Sequence, residues 1–221
     1  MHVADGWYHA FSRGLNRMIL FDDDRDRTHF LEVLEESVDR YRLRLHAYAL
    51  MDNHYHLLVQ TPEANLSRAM QWMNLSYAAW YNTRHQRTGP VFQRPYKAVP
   101  VENGAWAFEL SLYVHLNPLR IESLGLSRTQ RKAAGAGLSR PPSAEEVQRR
   151  LERLRAYVWS SYRCYAGYED APGWLYTAEL WRRAGRRGGD AAAAYRWAVQ
   201  SRLRQGAEAP KLESLRDALA I

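Results

Sequence analysis

Residues 42–60 read RLRLHAYAL, MDN, HYHLLVQ: two runs of alternating apolar residues split by a three-residue turn. A period of two is the signature of a strand, and strands joined this tightly pair antiparallel. This hairpin fixes much of what the chain can become, because each residue's face follows from its position. His54 and His56 fall on one face of the second strand, with Tyr55 on the other. Two imidazoles so placed can hold a divalent metal if a third group arrives from elsewhere. The same spacing also suits histidines of a core or a surface, so HYH alone decides nothing.

The rest of the N-terminal half supplies the hairpin's companions. WYHAFSRG (7–14) reads as a first strand closed by Gly14, followed by the loop NRMILFDDD, whose acidic cluster suits a helix N-terminus. Phe30, Leu31, Leu34, Val38 and Tyr41 recur with helical spacing over 24–41, and Leu66, Ala69, Met70, Met73, Tyr77 and Trp80 mark a second helix. A short strand at 96–102 carries Pro100, which points to a sheet edge. A third helix over roughly 104–117 stops at Pro118. The order β-α-β-β-α-β predicts an α+β, ferredoxin-like antiparallel sheet with two helices on one face, followed by the third helix. Residues 1–126 form the expected domain. Residues 127–150, basic and rich in Gly, Ala, Ser and Pro, read as a flexible connection running into a helix. Residues 151–221 read as a basic, mostly helical extension that includes the aromatic patch WSSYRCYAG at 159–167.

Charge is unevenly placed. Residues 1–117 hold 12 Lys and Arg against 13 Asp and Glu, whereas residues 118–221 hold 19 against 11, within a total of +7. A basic C-terminal half points to a polyanion such as nucleic acid, although a soluble arginine-rich surface has the same composition. No apolar run approaches the roughly 20 residues of a membrane span. The first residues lack the layout of a secretory signal. The single cysteine, Cys164, excludes an intrachain disulfide and a multi-cysteine zinc site. A cytoplasmic protein is expected.

In ELSLYVHLNPLR (109–120), Tyr113 and Asn117 lie four residues apart on one helical face, while Phe108, Leu112 and Leu116 form a separate stripe that can pack on the sheet. Tyr113 as one more buried aromatic, and Asn117 as a C-terminal cap before proline, fit that spacing equally well. A metal on the histidine pair with a tyrosine nearby would suit phosphodiester chemistry: the cation draws charge from the phosphate, and a phenol needs so activated an electrophile. No P-loop is present, which speaks against a nucleotide-driven reaction.

The segments YHAFSRG, NRMILF, HAYALMDNHYHLLVQTP, NLSRAMQWMNLSYAAWYN, GPVFQRPYKAV, LYVHLNPLR and WSSYRCYAG stand in an order that resembles one family. They are similar to the REP-associated tyrosine transposases, relatives of the IS200/IS605 single-tyrosine transposases among the HUH endonucleases. The likeness is dense over 7–125 and resumes at 157–168, and WLYTAELW and AAYRWAV resemble the extension of longer members. It implies that His54 and His56 bind Mg2+ or Mn2+ and that Tyr113 is the catalytic nucleophile. Asn117 falls where relatives supply a third ligand, often the longer glutamine. Asp52 stands where many relatives carry proline.

The implied activity is metal-dependent cleavage and rejoining of single-stranded DNA through a 5′-phosphotyrosine, on REP/BIME-type hairpins. Such a protein is expected in the cytoplasm at the nucleoid, as a monomer or homodimer, with no membrane partner. Arg13, Arg17, Arg94 and Lys97 are candidate phosphate contacts, with Tyr96 or Phe92 for base stacking. Arg182, Arg183, Arg186 and Arg187 are candidates for clamping the hairpin stem. Two other readings remain: a regulator that binds REP hairpins without cutting, its motifs kept as scaffold and its basic tail carrying the function, and a metal-dependent nuclease that uses water instead of tyrosine.

Overall fold

The computed structural model describes residues 3–101, 105–127, 129–130 and 140–205. Parts of the expected 127–150 connection and the end of the extension lie outside the described residues. Contacts divide the chain into two units, 1–107 with 172–176, and 108–171 with 177–221.

The first unit is built on four strands, β1 (Gly6–Arg13), β2 (Arg44–Met51), β3 (His54–Thr61) and β4 (Lys97–Pro100), in the order β2-β3-β1-β4 with every neighbouring pair antiparallel. With α1 (Asp24–Tyr41) and α2 (Leu66–Arg84) between them, the succession is β-α-β-β-α-β, as the hydrophobic periods predict. β4 is an edge strand, where Pro100 costs no ladder hydrogen bond.

The helices cover the Tyr55 face. Tyr55 is fully buried, 4.7 Å from the Phe30 ring of α1, and its hydroxyl donates to Asn74 Oδ1 of α2 at 2.7 Å. Phe92 meets Tyr55 edge-on at 6.1 Å, and Phe21, Phe30, Tyr77 and Phe92 continue the cluster through edge-on and tilted contacts with one another at 5.2–5.9 Å, geometries that aromatic quadrupoles favour. At the far ends of the two helices, Asp26 of α1, wholly buried, takes Arg84 and His85 from the end of α2. α1 opens on Asp23, whose carboxylate accepts from the Asp26 amide, and closes on Arg42 in the left-handed region.

A bulge at His46 interrupts the β2–β3 ladder. The segment 172–176 lies along the outer edge of β2, where the Tyr176 amide donates to the Leu45 carbonyl at 2.7 Å and Leu175 bridges to Leu45 in parallel. It also sets Trp174 against Tyr48 and Tyr176 against His46. An otherwise unpaired sheet edge is thus covered.

The second unit is helical: α3 (Ala105–His115), α4 (Ala144–Ala156), the short α5 (Tyr162–Tyr165), α6 (Ala178–Ala184) and α7 (Ala191–Arg204). α4 starts on a full capping box, with Ser143 and Glu146 satisfying each other's amides. Its buried Arg150 donates twice to the Leu124 carbonyl. His115 joins α3 to the later helices through Tyr195 of α7 and Ser161. Among the described residues, no helix is long and apolar enough to cross a membrane.

Candidate active site

β1 and β3 pair so that Arg13 stands opposite His54, Phe11 opposite His56 and His9 opposite Leu58. Cross-strand partners share a face, so His9, Phe11, Arg13, His54 and His56 all lie on the side away from α1 and α2. Lys97 of β4 pairs with Phe11 and holds its ammonium 6.0 Å from that ring, on the same face.

Each imidazole of the pair is held through Nδ1. His54 Nδ1 lies 2.8 Å from Asn53 Oδ1, an oxygen that can only accept, so the proton sits on Nδ1 and the lone pair on Nε2. Asn53 is itself fixed, because its Nδ2 donates to the Arg17 carbonyl at 3.2 Å and its own carbonyl accepts from the Gly14 amide at 2.9 Å. His56 Nδ1 lies 2.9 Å from His9 Nε2, with both rings buried. The His54 and His56 rings stand at right angles with centroids 5.0 Å apart.

This donor set suits a divalent metal held through Nε2 of each ring, with other positions left for substrate oxygens. Among the described residues no third His, Cys, Asp or Glu joins them in a metal-holding group.

The turn between β2 and β3 is gripped from outside. The Asp52 carbonyl accepts from the amides of Leu20 and Phe21, and its carboxylate accepts from Arg27 at 2.7 Å. Aspartate at this position therefore ties the turn to α1. Asn16 and Arg17 both have positive φ, in the tight turn that carries the Arg17 carbonyl to Asn53. Arg17 itself is exposed, whereas Arg13 is partly buried. Burial, followed by the charge of Arg17, lowers the Arg13 guanidinium pKa.

Tyr113 and Asn117 sit at the end of α3 in the second unit. The Arg120 guanidinium lies over the Tyr113 ring at 3.7 Å, a close cation–π contact. Asn117 caps the helix: its Nδ2 donates to the Tyr113 and Val114 carbonyls at 2.9 and 3.4 Å, and its Oδ1 accepts from Arg120 at 3.3 Å. Two residues from Tyr113, His115 is fully buried. One proton arrangement satisfies its neighbourhood: Ser111 donates to the Phe108 carbonyl, Tyr195 to Ser111, His115 Nδ1 to Tyr195, and Ser161 to His115 Nε2. Burial lowers the His115 pKa to about 3, so this histidine is a neutral structural group. Phe108 of the expected apolar stripe packs edge-on against Tyr195.

The remaining expected contacts scatter. Phe92 is buried beside Tyr55 and Tyr77 and offers no stacking face, because the core takes it. Arg94 and Tyr96 line a cleft of about 860 Å³ against α2, where the Tyr96 hydroxyl meets Ser67. Arg182 and Arg183 are both bound to Glu179, while Arg187 lies over Trp197 and Arg186 is exposed. The orienting residues Asn53 and His9 escape sequence reasoning. The signal for Asn53 was its place immediately before the histidine pair; for His9 there was only an odd position on the first strand.

Comparison with known proteins bears on both units. No curated protein matches the chain. Nine chains of solved structures do match. One is the structure of a REP-associated tyrosine transposase bound to a REP hairpin, similar over 81% of this chain and 90% of that one, with a TM-score of 0.52 and 9% identity. At that identity the likeness speaks for the fold. The family model described as "Transposase IS200 like" matches residues 2–116, more than half of the chain. That span contains the whole sheet, both imidazoles and Tyr113, and the chain belongs to the IS200-like transposases, a family of DNA-processing enzymes.

Proposed function

We propose that the protein cleaves and rejoins single-stranded DNA at REP-type hairpins, with Tyr113 as nucleophile. The observation that carries this reading is the pair of imidazoles on one sheet face, each with Nδ1 engaged by a neighbouring side chain, Asn53 for His54 and His9 for His56. His54 and His56 would hold Mg2+ or Mn2+, with Asn117 Oδ1 as the third protein donor. When bound, the ion supplies charge withdrawal from the non-bridging phosphate oxygens.

Tyr113 Oη forms a bond to phosphorus and gives up its proton to solvent. The 3′-oxygen leaves and takes a proton, so the products are a 5′-phosphotyrosine and a free 3′-hydroxyl. Attack by a 3′-hydroxyl on the phosphotyrosine reverses the exchange and spends no nucleotide cofactor. Arg13 and Lys97, on the histidine face, would hold the strand's phosphates. Arg17, Arg94, Arg186 and Arg187 are further candidate cations, and Arg182 and Arg183 contribute less because they share the one carboxylate of Glu179. The likeness to a hairpin-bound transposase supports a hairpin as the partner. The site of action would be the cytoplasm, at the nucleoid.

One observation favours a second reading, a regulator that binds hairpins without cutting: the Asn117 amide is engaged by the helix end and Arg120. The two readings separate on incubation with a REP-type single-stranded hairpin and Mn2+. Cleavage predicts a covalent protein–DNA adduct that disappears with chelator and in His56→Ala. Hairpin binding that is indifferent to chelator, with no adduct, would instead support the regulator.

A further inference from the structure

The geometry points to His9 as a positioning residue that sets the tautomer of His56 before any metal arrives. The inference rests on the proposed metal site and deepens it. His9 lies on β1, 47 residues from His56 in sequence, yet their Nε2 and Nδ1 atoms are 2.9 Å apart and both residues are buried. A hydrogen bond between two neutral imidazoles has two proton placements. If His9 Nε2 donates, His56 carries its proton on Nε2 and presents no lone pair there. If His56 Nδ1 donates, His56 Nε2 becomes a ligand atom and His9 carries its own proton on Nδ1. Metal binding through Nε2 requires the second placement.

The surroundings hold the His9 ring against His56. It forms a three-ring cluster with Phe11 and His56, its centroid 5.0 Å from each at interplanar angles of 29° and 22°, while those two lie 5.6 Å apart. Its backbone is fixed on both sides by ladder partners, Leu58 of β3 and Val99 of β4. Asn53 performs the same task for His54. The two ligands thus take their outer hydrogen bonds from different sources, one from a turn amide and one from a neighbouring strand. Groups that orient a metal-bound imidazole are typically worth about 10–100-fold in metal affinity.

The test uses the full-length protein with Mn2+ alone as the probe. Free Mn2+ is followed by electron paramagnetic resonance, and nitrogen shifts of labelled histidine report the tautomer in metal-free protein. Wild type should bind Mn2+ in a manner abolished by His54→Ala, and its His56 should be protonated on Nδ1. His9→Phe keeps a ring for stacking and removes the acceptor, and it should weaken Mn2+ binding about 10–100-fold. His9→Gln, which keeps an acceptor at the Nε2 position, should restore most of the loss.

Undiminished Mn2+ binding by His9→Phe, with the His54→Ala effect intact, would overturn the role of His9 and leave the metal site standing. Wild-type binding indifferent to His54→Ala would overturn the metal site and the inference with it. If His9→Phe fails to fold, the tautomer in wild type still decides: a His56 protonated on Nε2 overturns the inference.

Discussion

A Cβ at Gly14 would run into the carbonyl oxygen and side chain of Met18. Gly14 thereby permits the tight 14–18 turn, the Arg17 carbonyl holds Asn53, and Asn53 holds His54. Gly14→Ala should displace that turn and cost the His54 tautomer its support. The expected outcome is a lowered melting temperature together with weakened Mn2+ binding, read on the same sample by calorimetry and resonance. In the core, Phe30 is fully buried against Phe21, Tyr55 and Tyr77. Phe30→Ala should cost about 3–5 kcal/mol in urea unfolding, from lost burial plus a cavity. Period two in the second hairpin strand was enough to send Tyr55 into this core and the histidines to the other face. It could not reveal His9, because which residue of β1 lies beside His56 depends on a register between strands far apart in sequence.

A neutral histidine, His115, is among the groups of α3 that meet Tyr195 of α7. Burial lowers the His115 pKa from 6.5 to about 3, so the unfolded chain takes up a proton that the folded chain refuses. The stability this refusal leaves intact is complete above about pH 6.5 and is lost as pH falls toward 3, at no more than about 1.4 kcal/mol per pH unit. Urea unfolding at a series of pH values should show that acid slope in wild type and a shallower one in His115→Gln. At α4, Ser143→Ala removes the capping box and should cost about 1 kcal/mol, visible as faster amide exchange in the first turn. Helix existence was legible from spacing, and α1 ends where its pattern ends. The role of His115 was hidden because LYVHLNPLR gives no hint that Tyr195, 80 residues on, completes its hydrogen bonds.

Across the whole chain the net charge is +7, but the cations are not equivalent. Arg182 and Arg183 share Glu179, whereas Lys97 stands exposed on the histidine face and Arg186 is exposed in the second unit. Lys97→Ala and Arg186→Ala should each weaken hairpin binding and reduce the slope of log affinity against log salt by about 0.7, while Arg182→Ala should change it less. Titrations at several salt concentrations check this. Tyr113 groups with the C-terminal helices, and residues 172–176 group with the sheet. Both follow from pairings such as His115–Tyr195 and Leu45–Leu175, which no local periodicity encodes. The central claim is that Tyr113 becomes joined to DNA, and it is tested most directly by digesting the Mn2+-dependent adduct and sequencing the modified peptide by mass spectrometry. The expected product is a 5′-linked phosphonucleotide on Tyr113, with no adduct in Tyr113→Phe. Cleaved strands with protein-free 5′ ends, or an undiminished adduct in Tyr113→Phe, would contradict it.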